Sequence, residues 1–307
     1  MPMVSDHPIL PLDHLDALWF QVAGTLCNLR CNHCFISCSP DNQTLSLMSF
    51  DQVIPYLEEA VRLGVKEFYF TGGEPFINPD LPRILDSTLR IGPATVLTNA
   101  TLFSAGLVKE LALMRDASTY SLELRVSIDG FSSETNDPIR GPGTFKRAMR
   151  GLKLLLDSSF LPIITAMRSW PIEQDEAQLA GFKNCLAEIG YRYPRIKLLP
   201  SLKIGQESLR DRGYSEQDYI TKSMMAGYDC SQLMCSNSRI VSTRGVHVCP
   251  ILVDRPDSLL GARLSSAKQV FELRHQACMT CYQYGALCSN ASSAATSFEK
   301  NRLLRPI

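Results

Sequence analysis

The stretch Cys27-Asn28-Leu29-Arg30-Cys31-Asn32-His33-Cys34-Phe35 decides how the rest of this chain is read. It sets three thiols at C-x3-C-x2-C spacing directly after an apolar run, residues 18–23, that reads as a strand. Three thiolates can hold three corners of a four-iron cluster and leave the fourth iron without a protein ligand. An open iron is a site for chemistry, whereas a fully ligated cluster relays electrons. The spacing departs from the ferredoxin run C-x2-C-x2-C and from the separated C-x2-C pairs of zinc sites.

Working outward, a second apolar run, residues 65–71, ends in Thr71-Gly72-Gly73-Glu74-Pro75. Between the two runs, Ser49 and Gln52 form a capping box that opens a helix. Phe50, Val53, Ile54, Leu57, Ala60 and Val61 follow at helical spacing, and Gly64 is placed to close it. Further strands are expected at Ala94–Thr98, residues 122–128, residues 161–167 and Arg195–Leu199, with helical patterns between them at Thr144–Asp157 and residues 173–189. Six β/α units in series predict an α/β fold, a partial (β/α)6 TIM-like barrel. Cys27, Gly72, Asn99, Asp129 and Arg168 each lie just after a strand end, where barrel sites form.

Lys plus Arg equals Asp plus Glu at 31 each, so no overall field favours nucleic acid or an anionic membrane. No apolar run reaches transmembrane length, and the start lacks a signal-peptide pattern, so a cytoplasmic protein is expected. Eleven cysteines in that setting argue for metal ligation over disulfides. They fall into an early group (Cys27, Cys31, Cys34, Cys38) and a late one (Cys230, Cys235, Cys249, Cys278, Cys281, Cys288), with Cys185 alone. That split predicts an N-terminal extension at 1–16, a barrel at 17–205, a small cysteine-rich unit with a β-hairpin at 206–290 and a tail at 291–307.

The cysteine run and the GGEP sequence after the second strand together resemble the signature of the radical S-adenosylmethionine (SAM) enzymes. The resemblance implies that Cys27, Cys31 and Cys34 bind a [4Fe–4S] cluster whose open iron takes the methionyl end of SAM. Reductive cleavage of SAM would then give a 5′-deoxyadenosyl radical that abstracts hydrogen from substrate. It further implies that Gly72 and Gly73 let the backbone approach SAM, that Glu74, beside Pro75, accepts from the methionyl ammonium, and that Thr98-Asn99-Ala100 stands for a T-N-G turn. Ser127 would face the ribose or carboxylate, Arg140 would pair with the carboxylate, and His33 would lie near the adenine. Cys38 reads as a spare thiol and Cys185 as core packing.

The late cysteines resemble the SPASM and twitch auxiliary domains that follow such barrels. The hairpin around Thr243-Arg244-Gly245, with strands read at Ser238–Ser242 and residues 246–253, and the C-x2-C pair belong to that pattern, but a complete domain needs more cysteines than stand here. One auxiliary [4Fe–4S] cluster is expected on Cys235, Cys249, Cys278 and Cys281, with Cys230 and Cys288 as next candidates and a zinc ribbon as the plain alternative. A short helix is expected around residues 267–274.

The function this implies is an oxidoreductase-type radical SAM enzyme acting on a peptide or small molecule, by net oxidation or in peptide maturation, with a flavodoxin- or ferredoxin-type electron donor. Residues 1–26 are too few for a leader-binding module, so a separate leader-peptide-binding protein is the expected partner of a peptide substrate. The alternatives are a redox-neutral bond former or epimerase, and a non-catalytic electron-transfer or zinc-braced binding protein. Asp129, Tyr69, His247 and Tyr282 are the candidate proton acceptors.

Overall fold

A computed structural model describes residues 6–285 and 287. Six strands lie side by side in chain order, all parallel: β1 (Ala17–Gln21), β2 (Glu67–Thr71), β3 (Ala94–Thr98), β4 (Leu122–Ser127), β5 (Ile163–Met167) and β6 (Arg195–Leu199). The crossovers are helices α1 (Phe50–Leu63), α2 (Leu81–Thr88), α3 (Ala105–Ala117), α4 (Ser133–Arg140), α5 (Thr144–Asp157) and α6 (Asp175–Glu188). This is the expected partial barrel, with strand bounds within two residues of those read from the sequence.

Period-two alternation sorts each strand. Leu18, Phe20, Phe68, Phe70, Val96, Leu124, Val126, Ile164 and Ala166 face outward, where they share one core with Val53, Leu57 and Ala60 of α1. Each Val, Leu, Ile or Phe among them, fully removed from water, contributes about 2 kcal/mol. The opposite positions carry Trp19, Gln21, Thr71, Arg125, Ser127 and Thr165, which line an interior cavity. Helix α1 begins as its sequence says: Ser49 accepts from Gln52 N, Gln52 accepts from Ser49 N, and Gly64 ends the helix at φ 73°.

The late segment joins the same sheet. Strand β7 (Ser238–Ser242) pairs parallel with β1 on its free edge, followed by antiparallel β8 (Gly245–His247) and β9 (Leu259–Gly261). The cysteine-rich residues thus extend the barrel sheet to nine strands instead of hanging from a linker.

Two expectations need correction. The second hairpin strand, read as residues 246–253, stops at His247, and Pro250–Leu252 turns as a 3₁₀ segment because Pro250 has no N–H to give a ladder. No helix spans 267–274. A 3₁₀ turn at Leu264–Lys268 is followed by Phe271–Glu272, which pairs with Ile9–Leu10 near the chain start. The helix in this region is α7 (Ala277–Tyr284), which itself carries Cys278 and Cys281.

Candidate active site and second thiol site

A cavity of about 240 Å³ opens at the C-terminal ends of the parallel strands. Cys27, Cys31 and Cys34 line it together with Cys38, Gly72, Gly73, Thr98, Asn99, Ser127, Asp129, Arg140 and His33. Residues from several βα loops converge there because a barrel exposes all those loops on one rim. The cysteine loop is tied down along its length. Cys27 N donates to Ser39 O at 3.1 Å, Asn32 N to Ile139 O at 3.0 Å, and Gln206 N to Cys34 O at 2.9 Å.

Gly72 and Gly73 line the cavity, and Gly73 also packs against the cysteine loop. A Cβ on Gly73 would stand 2.0 Å from Leu26 O and 2.8 Å from Cys27 Cβ. Gly73 N and Glu74 N donate across this contact to Gly24 O and Leu26 O, each at 3.0 Å. The missing Cβ admits the cysteine loop, and through that packing it fixes where the sulfurs stand.

Glu74 is fully buried behind the wall, outside the cavity lining. Its carboxylate accepts from Thr98 Oγ1 and Asn99 N at 2.7 Å each and from Phe76 N at 3.2 Å. It therefore pins the β3 turn to the GGEP turn in this structure. Burial pushes its pKa up to about 7 against those hydrogen bonds. The turn itself keeps the glycine geometry: Ala100 sits at φ 58°, left-handed backbone that costs an alanine about 1 kcal/mol. Asn99 Nδ2 lies 3.9 Å from Cys27 Sγ and donates to Asn28 Oδ1 at 2.9 Å.

Asp129 is a hub. His33 Nε2 and Arg140 Nε both lie 2.6 Å from its Oδ2, and Met167 N donates to Oδ1 at 2.7 Å. Burial would raise this carboxyl, but Arg140 and His33 outweigh it and hold it far below the usual carboxylate range. So held, Asp129 is a poor proton acceptor. The other candidate bases lie away from the cavity wall. Tyr69 stacks on Trp19 and donates to Glu67 at 2.9 Å. His247 is buried between Ser242 and Ser258, each at 2.9 Å, and burial lowers it to about 4. Tyr282 donates to Met224 O at 3.0 Å.

The thiols differ among themselves. Burial pushes Cys27 up to about 12 and Cys31 to about 11. Cys34 is pulled down, because the Cys38 thiol and the backbone N–H groups of Cys38 and Ile36 donate to its sulfur. Cys38 thus shares the pocket as a donor to Cys34. The sequence reading missed the deeper wall. Trp19 Nε1 and Thr165 Oγ1 are buried, line the cavity and find no hydrogen-bond partner among the described residues. The signal was polar residues at the inward positions of otherwise apolar strands. Thiols on one side and orphaned polar atoms on the other fit a cluster with an organic ligand beside it.

A second, smaller void of about 20 Å³ is lined by Cys235, Cys249, Cys278 and Cys281 amid Leu233, Met234, Ile251, Leu252, Leu273 and Ala277. These are the expected first-choice thiols, drawn together from a 3₁₀ turn, the end of the hairpin and α7. Cys230 stands outside this lining, with Sγ 3.9 Å from Tyr228 O, and Cys288 lies outside the described residues. Among the described residues, no helix is long and apolar enough to cross a membrane.

Comparison with known proteins agrees with this geometry. Residues 22–177 match the model of the Radical SAM superfamily. The AdoMet-dependent heme synthase of Methanosarcina barkeri is 34% identical over 144 residues, 46% of this chain and 39% of that protein. The subtilosin biosynthesis protein AlbA of Bacillus subtilis is 32% identical over 43% of this chain and 28% of its own length. The mycofactocin maturase MftC of Mycobacterium tuberculosis is 31% identical over 57% of this chain and 43% of its own. The chain thus spans less than half the length of these curated relatives. The fold matches anSMEcpe with bound AdoMet at a TM-score of 0.63 and 14% identity, over 93% of this chain and 95% of that one. It also matches Streptococcus suis SuiB bound to its precursor peptide SuiA, at 0.60 and 15% over 80% and 62%. A superfamily match over half the chain, laid on a rim where three loop thiols meet a ligand-sized cavity, decides the matter: this chain belongs to the radical SAM superfamily, whose cofactors are a [4Fe–4S] cluster and S-adenosylmethionine.

Proposed function

We propose that this chain is a radical SAM oxidoreductase of the cytoplasm that modifies a peptide, with Cys27, Cys31 and Cys34 holding the cluster that binds SAM. The observation that carries this reading is the convergence of those thiols, Arg140, Ser127 and Asn99 on one cavity at the barrel rim. When bound, the reduced cluster and SAM supply a carbon radical able to take a hydrogen atom from an unactivated C–H bond. The protein's own residues bind, orient and exclude water. Asp129 fixes Arg140 by its Nε side, so the terminal nitrogens of the fork are presented to the SAM carboxylate. Ser127 would face the ribose or carboxylate of SAM, and His33, braced by Asp129, would lie near the adenine. Glu74 holds Thr98 and Asn99 so that the turn presents Asn99 to the loop.

Cys235, Cys249, Cys278 and Cys281 hold an auxiliary [4Fe–4S] cluster in a cysteine-rich unit over 206–290. Four thiols around one small apolar void leave no iron without a protein ligand, which favours electron acceptance from the substrate radical over binding of substrate at an open iron. A peptide substrate is supported by the maturase and bacteriocin relatives and by the SuiB–SuiA complex. The heme synthase relative supports a second reading, a small-molecule substrate.

The test is anaerobic reconstitution with SAM and dithionite or a reduced flavodoxin. Formation of 5′-deoxyadenosine is expected, and its absence from a fully iron-loaded protein refutes the enzyme reading. Deuterium carried from a candidate peptide into 5′-deoxyadenosine, with a product two electrons more oxidised, supports peptide oxidation. An unchanged redox state of the product turns the reading to a redox-neutral rearrangement.

A further inference from the structure

Arg239, on β7, is fully buried at 0% exposure. Among the described residues, every hydrogen bond recorded for its guanidinium ends on a backbone carbonyl. Nε donates to Ala267 O at 2.9 Å, Nη1 to Cys235 O at 2.7 Å and Ser238 O at 2.9 Å, and Nη2 to Gln269 O at 3.4 Å. Nη1 also approaches Val248 O at 3.5 Å, the carbonyl just before Cys249. The guanidinium thus grips the main chain at two of the four thiols that line the second void.

A permanent cation in an apolar interior costs several kcal/mol unless an opposite charge stands near it. Carbonyl dipoles accept from all three guanidinium nitrogens but bring no net charge. The groups able to supply one are the Cys235 and Cys249 thiols, beside which the fork sits. Both thiols act on the Arg239 charge across this contact.

We propose that Arg239 is the counter-cation of the second thiol site, offsetting the thiolates' charge and holding the bound cluster's reduction potential up. This rests on the reading that these four cysteines ligate a cluster. Reduction adds negative charge to the site, and a fixed cation beside it stabilises the reduced form. The apolar lining of the void leaves little water to screen that effect. Arginine suits the position because one rigid fork satisfies several carbonyls while it carries the charge.

The plain structural reading is a carbonyl clamp joining the hairpin to the 264–269 turn. Two substitutions separate the readings: Arg239→Lys keeps the charge and loses the fork, whereas Arg239→Gln keeps an amide donor and loses the charge. The full chain is reconstituted anaerobically, iron and sulfide are counted, and the signal that Cys278→Ala abolishes is titrated potentiometrically by electron paramagnetic resonance. Arg239→Gln is expected to move that signal's midpoint to a more negative potential, with the first cluster unmoved and Arg239→Lys close to the unsubstituted protein. Equal midpoints in the unsubstituted protein and Arg239→Gln, or equal shifts in both variants, overturn the proposal. If Arg239→Gln fails to load the second site while Arg239→Lys loads it, the charge is required and the proposal stands. Failure of both to load it leaves only the clamp and overturns it. Zinc or no metal at this site in the unsubstituted chain overturns the cluster reading itself, and this proposal with it.

Discussion

Cys27, Cys31 and Cys34 stand around a cavity of about 240 Å³ whose wall mixes sulfur with Arg140, Ser127 and Asn99, whereas Cys235, Cys249, Cys278 and Cys281 line about 20 Å³ of apolar space. The first site leaves room beside its sulfurs for an organic ligand with polar groups. The second leaves none. Their charge balance differs in the same way. At the rim, Arg140 is neutralised by Asp129, so the pair can meet a zwitterionic ligand without a large net field. At the inner site Arg239 faces carbonyls and thiols alone among the described residues. One chain has built a roomy, polar site for chemistry and a small, apolar one for charge, using the same side chain as donor.

The largest effect is expected from the open site. Changing Cys27, Cys31 or Cys34 to Ala should reduce 5′-deoxyadenosine formation to background, with iron at the second site retained. Chromatography of the nucleoside and iron content per chain check this, and equal loss of iron from both sites breaks the distinction. Next comes Cys278→Ala, which should abolish substrate oxidation while SAM cleavage survives within about tenfold. Loss of both activities would show that the second site supports the fold of the first.

Gly73→Ala forces a Cβ to within 2.0 Å of Leu26 O, so the cysteine loop must move. Overpacking of this kind costs about 3 kcal/mol, read in chemical denaturation, and here should also lower iron occupancy of the first site alone. Glu74 gives a pH signature. Its pKa is raised by burial from 4.5 unfolded to about 7 folded, so between those values the folded state binds the extra proton. Stability should therefore fall as pH rises from 4.5 through about 7, by on the order of 3 kcal/mol, and level off above. Glu74→Gln should flatten that slope, and an unchanged slope assigns it to another group. The smallest effect is expected from Ala100→Gly, which relieves left-handed backbone at φ 58° and should stabilise by about 1 kcal/mol in thermal unfolding.

Much of the fold was legible because local rules and tertiary packing agree in the barrel. Apolar strands followed by the loops of Cys27, Gly72 and Asn99, and a capping box at Ser49, leave little freedom in where elements begin. Legibility failed where one residue overrides a pattern. Pro250 ends a strand that its neighbours would extend, and Phe271 joins a strand at the chain start that no local signal announces. The candidate site was legible in its sulfurs, whose spacing is a chemical requirement. Its deeper wall was not, because Trp19, Arg125 and Thr165 become neighbours only when separate strands align.

The sequence by itself determined the parallel barrel and the thiols of the rim loop, because periodicity and ligand spacing are local properties of the chain, whereas the four late cysteines were singled out only by a family resemblance and meet around one void in the fold. Only the tertiary structure decided that Gly73 makes room for the cysteine loop, that Glu74 turns inward to Thr98, and that β7 seats Arg239 against Cys235. Those outcomes depend on which distant surfaces exclude water from each other, and no stretch of chain carries that information alone.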